Sequence, residues 1–549
     1  IMLLNSVPSL VNYPYSCSEQ LINKYVPLAI INSMYQQNPK LKDAVTAAFK
    51  KAGTRKTVTL PWEEKDPRRL MELTETPWIA NSKGMTSSYE LISYLDSATI
   101  SKLKDEIFKD LKSRQLPSGG FSWFSGGRED LYITLIVLEG LSEAAMYGVA
   151  FPKDLFEKAL NYVYRELPKY LKAQIGELQF LIYGTYIFTS FDSKLNTLSS
   201  NKDVADVWIP FIEKHDTLIT PLGHAYMAHI YKRLGLTKKS DTSLKRALDG
   251  SKKDDLIGIY WAPEERSWLW YNDTVEKHAF FLQTLIQLKP QDDRIDGIAQ
   301  WLLFNRKGNE WKSTKATSKA IFSLMHYLRL KTNFKDKTQL AIDWGSLKEK
   351  INLDPLDIDQ KEPLRILKTE KIKDGDGTVK ITKTGALPVF AGLTWIYSTD
   401  EMTDASGSSV MDLKREFYLV NAGEKLTPLN VGDRINVGDE VEVLLTIKSK
   451  SQLEYVHLKD PRGAGFESNS LLSGYQWQTI GRYEEPRDSL MNFFFDTVPK
   501  GEYMMKHRFK ATTAGVYKFN SATIQSMYAP EMTAYSSSFR LEVVESSTK

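Results

Sequence analysis

Over residues 1–335, apolar positions recur at steps of three and four in stretches such as 132–146, 155–170, 221–236, 278–288 and 316–330, which is the period of helices with one buried face. Three aromatic loops introduce helices: Gly120-Phe121-Ser122-Trp123, Gly258-Ile259-Tyr260-Trp261 and Gly308-Asn309-Glu310-Trp311. Trp261 and Trp311 are 50 residues apart, and Trp123 and Trp261 are 138 apart, about three times 46. A period of about 45 to 50 residues holds two helices and a loop, so this zone predicts a closed array of helical hairpins.

The pattern changes twice further on. Over 336–412 the helical period fades into Lys- and Asp-rich text with short strand candidates at 378–382 and 392–397, separated from the preceding run by the turn Asp374-Gly375-Asp376-Gly377. From 413 to 549 the text is wholly strand-like, with runs at 415–420, 441–447, 455–459, 492–495, 502–511, 515–519 and 537–544. Asp460-Pro461-Arg462-Gly463 ends the third of these. Short strands at this spacing predict a β-sandwich.

Composition narrows the function classes. A chain of 549 residues with 42% hydrophobic and 26% charged residues has room for three or so ordinary globular domains. The net charge of +4 is nearly neutral over this length, and Lys and Arg are scattered among Asp and Glu, so nucleic acid and anionic membranes are not expected partners. No run of eighteen apolar residues and no signal peptide is present, and the chain opens at Ile1-Met2 sixteen residues before its only cysteine, which reads as the C-terminal part of a longer protein. A membrane anchor would lie upstream. His224 and His229 are five apart, and there is neither HExxH nor a Cys cluster, so neither metal nor other cofactor is expected.

That only cysteine, Cys17, sits in Cys17-Ser18-Glu19-Gln20, three residues ahead of a glutamine. If the thiolate attacks the carboxamide and ammonia leaves, the product is an internal thioester that an amine, hydroxyl or water opens. Tyr13-Pro14-Tyr15 should be extended, and Ser16-Cys17-Ser18-Glu19 has the form of a capping box, so a helix is predicted to start at Ser16, with Cys17 in its first turn where the dipole favours a thiolate. Leu21, Tyr25, Leu28, Ile31 and Tyr35 give that helix one apolar face, and Pro27 should kink or shorten it. The tetrapeptide alone is equally a small buried thiol at an ordinary helix start.

The surrounding text separates these readings. Tyr13-Pro14-Tyr15-Ser16-Cys17-Ser18-Glu19-Gln20 resembles the thioester signature of bacterial α2-macroglobulins, an aromatic-Pro pair followed by C-x-E-Q. The resemblance continues through Gly119-Gly120-Phe121-Ser122-Trp123, the helix start at 132–138, Trp311-Lys312-Ser313-Thr314-Lys315-Ala316-Thr317 and Met527-Tyr528-Ala529-Pro530-Glu531, in the family's order. Ser18 departs from the glycine usual in vertebrate members. The resemblance implies an α/α toroid carrying the thioester over 1–335, the second half of a split CUB-like β domain over 336–412, and a C-terminal macroglobulin-like sandwich over 413–549. It implies a single-use acylating inhibitor rather than an enzyme: a broad-range, monomeric protease trap, periplasmic or extracellular, that captures target proteases through surface lysines. Cys17 and Gln20 would form the thioester, Glu19 belongs to the motif, and Tyr13 and Tyr528 match tyrosines that shield it.

In some complement relatives a histidine in the loop opening the second helical hairpin relays the acyl group to hydroxyls. The matching loop here, Ser125-Gly126-Gly127-Arg128-Glu129-Asp130, has none, so direct aminolysis is expected. Two other classes remain. α/α toroids also house terpene cyclases, prenyltransferases and glycosidases, for which Asp292, Asp293 and Asp296 would be the acidic site, though they follow Lys289-Pro290-Gln291 in what reads as a surface corner. A thiol enzyme using Cys17 as a recyclable nucleophile would need a histidine within reach.

Overall fold

The structure is a computed structural model that describes residues 6–11, 16–37, 39–40, 43–44, 97–191, 203–254, 257–261, 274–306, 310–311, 313–331, 337–345, 347–354, 377–389, 402–407, 410–450, 452–470, 472–527 and 529–545. These fall into two compact units, one ending at residue 389 and one starting at residue 402.

Among the described residues, ten helices of eleven residues or more organise the first unit: α1 (Ser18–Gln37), α2 (Ser97–Arg114), α3 (Leu131–Ala145), α4 (Lys153–Glu166), α5 (Ile175–Phe188), α6 (Pro221–Arg233), α7 (Thr237–Leu248), α8 (Thr274–Leu288), α9 (Arg294–Phe304) and α10 (Thr314–Lys331). Six of them close a ring: α1 packs on α3, α3 on α5, α5 on α6, α6 on α8, α8 on α10, and α10 returns to α1. The others lie outside it, α2 against α1, α4 against α3, α7 against α6 and α9 against α8. Burial explains the sorting. Outer helices bury one stripe, as α4 does with Leu155, Phe156, Ala159, Leu160, Tyr162 and Val163, whereas every residue of α3 from Leu131 to Ala144 is buried.

α1 departs from its sequence reading. It runs unbroken for 20 residues through Pro27, and Leu21, Ile22, Tyr25, Val26, Leu28, Ala29, Ile30 and Ile31 are all buried, so it has no single apolar face. Flanked by α2, α3 and α10, it buries side chains around most of its circumference. It meets α3 at Gly140, where a Cβ would lie 2.3 Å from Ile22 Cγ1.

The three aromatic loops share one device. A backbone N–H in each donates to a side chain of the following ring helix: Phe121 to Thr134 Oγ1 (2.9 Å), Trp261 to His278 Nε2 (3.0 Å) and Trp311 to Thr317 Oγ1 (2.9 Å). Phe121, Trp261 and Trp311 are buried, which makes these bonds costly to lose.

After the helices the same unit carries an antiparallel sheet of β1 (Thr338–Trp344) flanked by β2 (Leu347–Leu353) and β3 (Lys380–Thr384). The candidate at 378–382 is found two residues later, as β3; the one at 392–397 and the turn residues Asp374 to Asp376 lie outside the described residues. The hairpin 338–353 went unread, because Lys and Asp interrupt its alternation.

The second unit is all β. A five-stranded sheet joins β4 (Met411–Asn421), β5 (Lys425–Pro428), β7 (Glu440–Ser449), β9 (Phe466–Ser468) and β13 (Gly501–Ala511) in the order β9-β13-β7-β4-β5. A six-stranded sheet joins, in order, β10 (Gly474–Gln476), β11 (Arg482–Pro486), β12 (Leu490–Val498), β8 (Leu453–Pro461), β15 (Thr523–Ser526) and β16 (Ala529–Tyr535), while β6 (Arg434–Asn436), β17 (Phe539–Val544) and β14 (Gly515–Phe519) make a third. Val441, Val443, Leu445 and Ile447 of β7 and Val456, Leu458, Phe493 and Phe495 of the six-stranded sheet are fully buried, the alternation expected of facing sheets. One inward position on β4 is charged. Arg415 Nη1 donates to Asp460 Oδ1 on β8 (2.6 Å), and Asp460 Oδ2 pairs with His507 Nε2 on β13 (2.7 Å), which ties the two sheets together.

Candidate functional site

The start of α1 is built one residue later than the sequence predicts. The first helical bond runs from the Leu21 N–H to the Cys17 carbonyl (3.0 Å), so Cys17 rather than Ser16 is the capping residue, and Ser16 is exposed. Gln20 occupies the third helical position and its Oε1 accepts from the Cys17 backbone N–H at 2.9 Å. This is the returning half of a capping box. It folds the Gln20 carboxamide back onto the cysteine that would attack it.

Cys17 is only 6% exposed. Burial is the largest influence on its thiol and raises its pKa, against the opposing pull of the Gln20 backbone N–H; Glu19 raises it further and Arg114 lowers it. The dipole therefore does not win a resting thiolate, contrary to the sequence expectation, because desolvation of the charged form outweighs it.

The residues that hold this turn come from three elements. Ser18 N–H donates to the Trp123 carbonyl (2.9 Å) and Ser18 Oγ to the Ser122 carbonyl (2.6 Å), so the first aromatic loop lies against the helix start. Phe121–Ser122 pairs with Glu129–Asp130 in a short ribbon, and Asp130 both caps α3 through the Ile133 N–H (3.0 Å) and accepts from Trp123 Nε1 (3.3 Å). Trp123 stacks on Tyr132, whose hydroxyl accepts from Lys315 Nζ (3.1 Å). Burial raises the pKa of Glu19, offset in part by Lys315. Segments of the chain near 17, 121, 132 and 315 thus converge on one corner of the ring. Arg114, the last residue of α2, went unread: it donates from Nη1 to the Trp123 carbonyl (3.5 Å) while its own carbonyl accepts from Ser122 Oγ (3.3 Å). A terminal-turn arginine ordinarily complements the helix dipole, and nothing in the text marks this one as buried.

The lumen of the ring is a cavity of about 380 Å³ bordered by Tyr132, Glu139, Glu143, Tyr183, Glu276 and Lys315 among others. Its carboxylates are tied to lysines. Lys319 Nζ bridges Glu139 (2.9 Å) and Glu143 (2.5 Å), Lys315 lies 3.8 Å from Glu276, and Tyr183 donates to Glu139 (2.9 Å). Burial holds the Glu143 carboxyl above the usual range although Lys319 pulls it down.

The acidic corner at 292–296 does not face this lumen group. Asp292 accepts two bonds from Arg294 (2.8 Å each), which keep its carboxyl well below the usual range, and Asp296 pairs with Lys331 (2.8 Å) and Tyr327 (2.8 Å). Among the histidines, His215 is bonded to Phe211, His229 to Thr284, His278 to Trp261 and Thr274, His457 to Asn492 and His507 to Asp460. The charged groups acting on the Cys17 sulfur include Glu19, Arg114 and Lys24, and no histidine. Among the described residues no cluster of His, Cys, Asp and Glu is placed to hold a metal ion, and no helix is long and apolar enough to cross a membrane. Tyr13 and Tyr528 lie outside the described residues.

Comparison with known proteins places this geometry. The chain is 21% identical over 459 residues to the α2-macroglobulin of Rickettsia conorii, covering 80% of this chain and 22% of that protein. It is 20% identical over 553 residues to circularly permutated Ras protein 2 of Dictyostelium discoideum, covering 83% of this chain and 14% of that one. It therefore spans less than a quarter of the length of either curated relative. A native Escherichia coli α2-macroglobulin structure running from domain MG7 to the C-terminus aligns over 98% of this chain and 75% of that one, with 16% identity and a TM-score of 0.40. Residues 411–531, which begin with β4 and end within β16 (Ala529–Tyr535), match the bacterial α2-macroglobulin MG10 domain. Residues 411–531 are thus a domain of the bacterial α2-macroglobulin MG10 type, and the chain as a whole is similar to bacterial α2-macroglobulins.

Proposed function

We propose that this chain is the reactive part of a broad-range protease trap in which Cys17 and Gln20 condense to an internal thioester and Gln20 then acylates an amine of the attacking protease. The observation that carries the reading is the 2.9 Å bond from the Cys17 N–H to Gln20 Oε1, which holds the carboxamide on the turn of a buried cysteine. In forming the thioester, Cys17 Sγ bonds to Gln20 Cδ and ammonia leaves with the proton of the thiol. In the trapping step an amine nitrogen bonds to Cδ, the C–S bond breaks, its electron pair remains on sulfur, and the amine proton passes to the thiolate or water. The enclosed turn slows hydrolysis before that moment, and Tyr13 and Tyr528 are its proposed shields. Target lysines are the proposed acyl acceptors, since no histidine occupies the loop 125–130 to relay the acyl group to hydroxyls.

The proposed domain order is the thioester toroid over 1–335, the CUB-like half over 336–412 and the macroglobulin-like sandwich over 413–549, in a monomeric, periplasmic or extracellular inhibitor. Intact mass tests the reading, because the thioester lacks one ammonia, about 17 Da below the plain sequence. Methylamine should then add about 31 Da, leaving the chain about 14 Da above the plain sequence, and release one reactive thiol per chain. A full thiol titre before methylamine in the full-length protein would overturn it.

A further inference from the structure

A cationic side chain at the end of a helix ordinarily reaches water, as neighbouring Lys112 does, whose side chain is 74% exposed. Arg114 instead is 8% exposed, its Nε is buried without a hydrogen-bond partner, and its Nη1 makes only a long 3.5 Å bond to the Trp123 carbonyl. Burying a cation with so little compensation is unfavourable unless a negative charge forms beside it. The Trp123 carbonyl locates that charge. The same oxygen accepts the N–H of Ser18, the residue after Cys17, so guanidinium and helix start are pinned to one atom.

We propose that Arg114 is a positioning residue for acyl transfer, a buried guanidinium fixed beside the Cys17 sulfur to stabilise it as it leaves Gln20 as a thiolate. The proposal rests on the thioester reading. In the thioester the sulfur is neutral and Arg114 is under-compensated; when the amine attacks Gln20 Cδ and the C–S pair collapses onto sulfur, the buried cation gains its counter-charge without rearrangement. The cost of burial is thereby returned at the step that needs it. The other charges facing the sulfur are Glu19, which opposes a thiolate, and Lys24, which Cys17 in turn favours in its charged form against the effect of burial.

The test separates this role from thioester formation by using the Gln20→Ala chain, in which no thioester can form and Cys17, as the single cysteine, reports alone. Alkylation of Cys17 is followed by mass across pH, with far-ultraviolet circular dichroism as the folding control. Arg114→Gln should move the midpoint of thiolate formation up by about one pH unit, and Arg114→Lys should restore most of that shift. An unchanged midpoint in Arg114→Gln, or an equal shift in both variants, overturns the proposal, the latter because it would assign the effect to packing. If Arg114→Gln does not fold, the Gln20→Ala chain with Arg114 intact decides: iodoacetate should react faster relative to iodoacetamide than with free cysteine, and a ratio at or below that of free cysteine overturns it. Failure of the methylamine experiment with success here would sink the thioester reading and leave the Arg114–Cys17 pairing standing.

Discussion

Replacing Gly140 by alanine should destabilise the helical ring, although glycine is a poor helix residue. On propensity alone the change stabilises α3 by about 1 kcal/mol. Against that, the new Cβ would stand 2.3 Å from Ile22 Cγ1 and 3.2 Å from Val26 Cγ2 on α1. Ile22 is 1% exposed and β-branched, so it cannot swing into solvent and its χ1 is stiff. Overpacking of a filled core costs about 1–3 kcal/mol, and a contact this short belongs near the top of that range, leaving a net loss of about 2 kcal/mol. For a domain of this size that corresponds to a fall of about 3 °C in Tm, read from the helical signal at 222 nm. Ile22→Ala alone should cost about 2–5 kcal/mol, but the double variant should cost less than the sum by more than 1 kcal/mol, because the alanine methyl then fills the space the isoleucine vacates. A Gly140→Ala chain as stable as its parent, or a double variant additive within about 0.5 kcal/mol, would refute the argument that α1 and α3 are held in backbone-close contact at this position.

Asp460→Asn should cost the sandwich about 3–5 kcal/mol in chemical denaturation followed by its β signal, since Arg415 would be left a buried cation without its counter-charge, held by the carbonyls of Asn520 (2.7 Å), Ser537 (3.1 Å) and Phe519 (3.3 Å). Thr317→Val should lower the melting of the helical unit by about 1–3 kcal/mol, because it strands the buried Trp311 N–H and keeps the side-chain shape. The ring should lose stability as pH rises from 4.5: burial lifts the Glu143 carboxyl, the folded chain holds that proton longer than the unfolded one, and the contribution declines until the folded group ionises. Glu143→Gln should flatten that part of a Tm-against-pH curve, and an identical slope in both chains would show that the dependence arises elsewhere.

Much of the architecture is legible where one face meets water. The alternation over 441–447 lies inside β7, and the three-and-four spacing over 155–170 matches the outer helix α4, which buries one stripe, within a few residues. Period fails where burial has no side. α5 is apolar nearly throughout, from Leu178 to Phe188, and α1 is enclosed, so neither shows a stripe that marks its orientation. The proposed reactive pair Cys17 and Gln20 is visible in the text because its spacing is local. Its supports are not, since Arg114, Ser122, Trp123 and Lys315 reach it only through the closed ring, and a capping cysteine is not a residue type that announces a helix start. The same locality limits the capping-box reading, in which Ser16 offered the better cap chemistry and tertiary bonds to the Trp123 loop set the register one residue later.

Ring closure also imposes an order in time. α1 is the first long helix of the described chain and α10 the last of the ring, yet they are neighbours, so the pocket around Cys17 and Gln20 cannot be completed until about 300 further residues have been made. At ordinary synthesis speeds of about 5–20 residues per second that is a delay of about 15 to 60 s. During it the cysteine and glutamine are present but unassembled, and an acyl group formed early would be lost to water. By giving the Cys17–Gln20 turn to the helix that waits longest for its partners, the fold would delay the proposed electrophile until the walls that protect it exist.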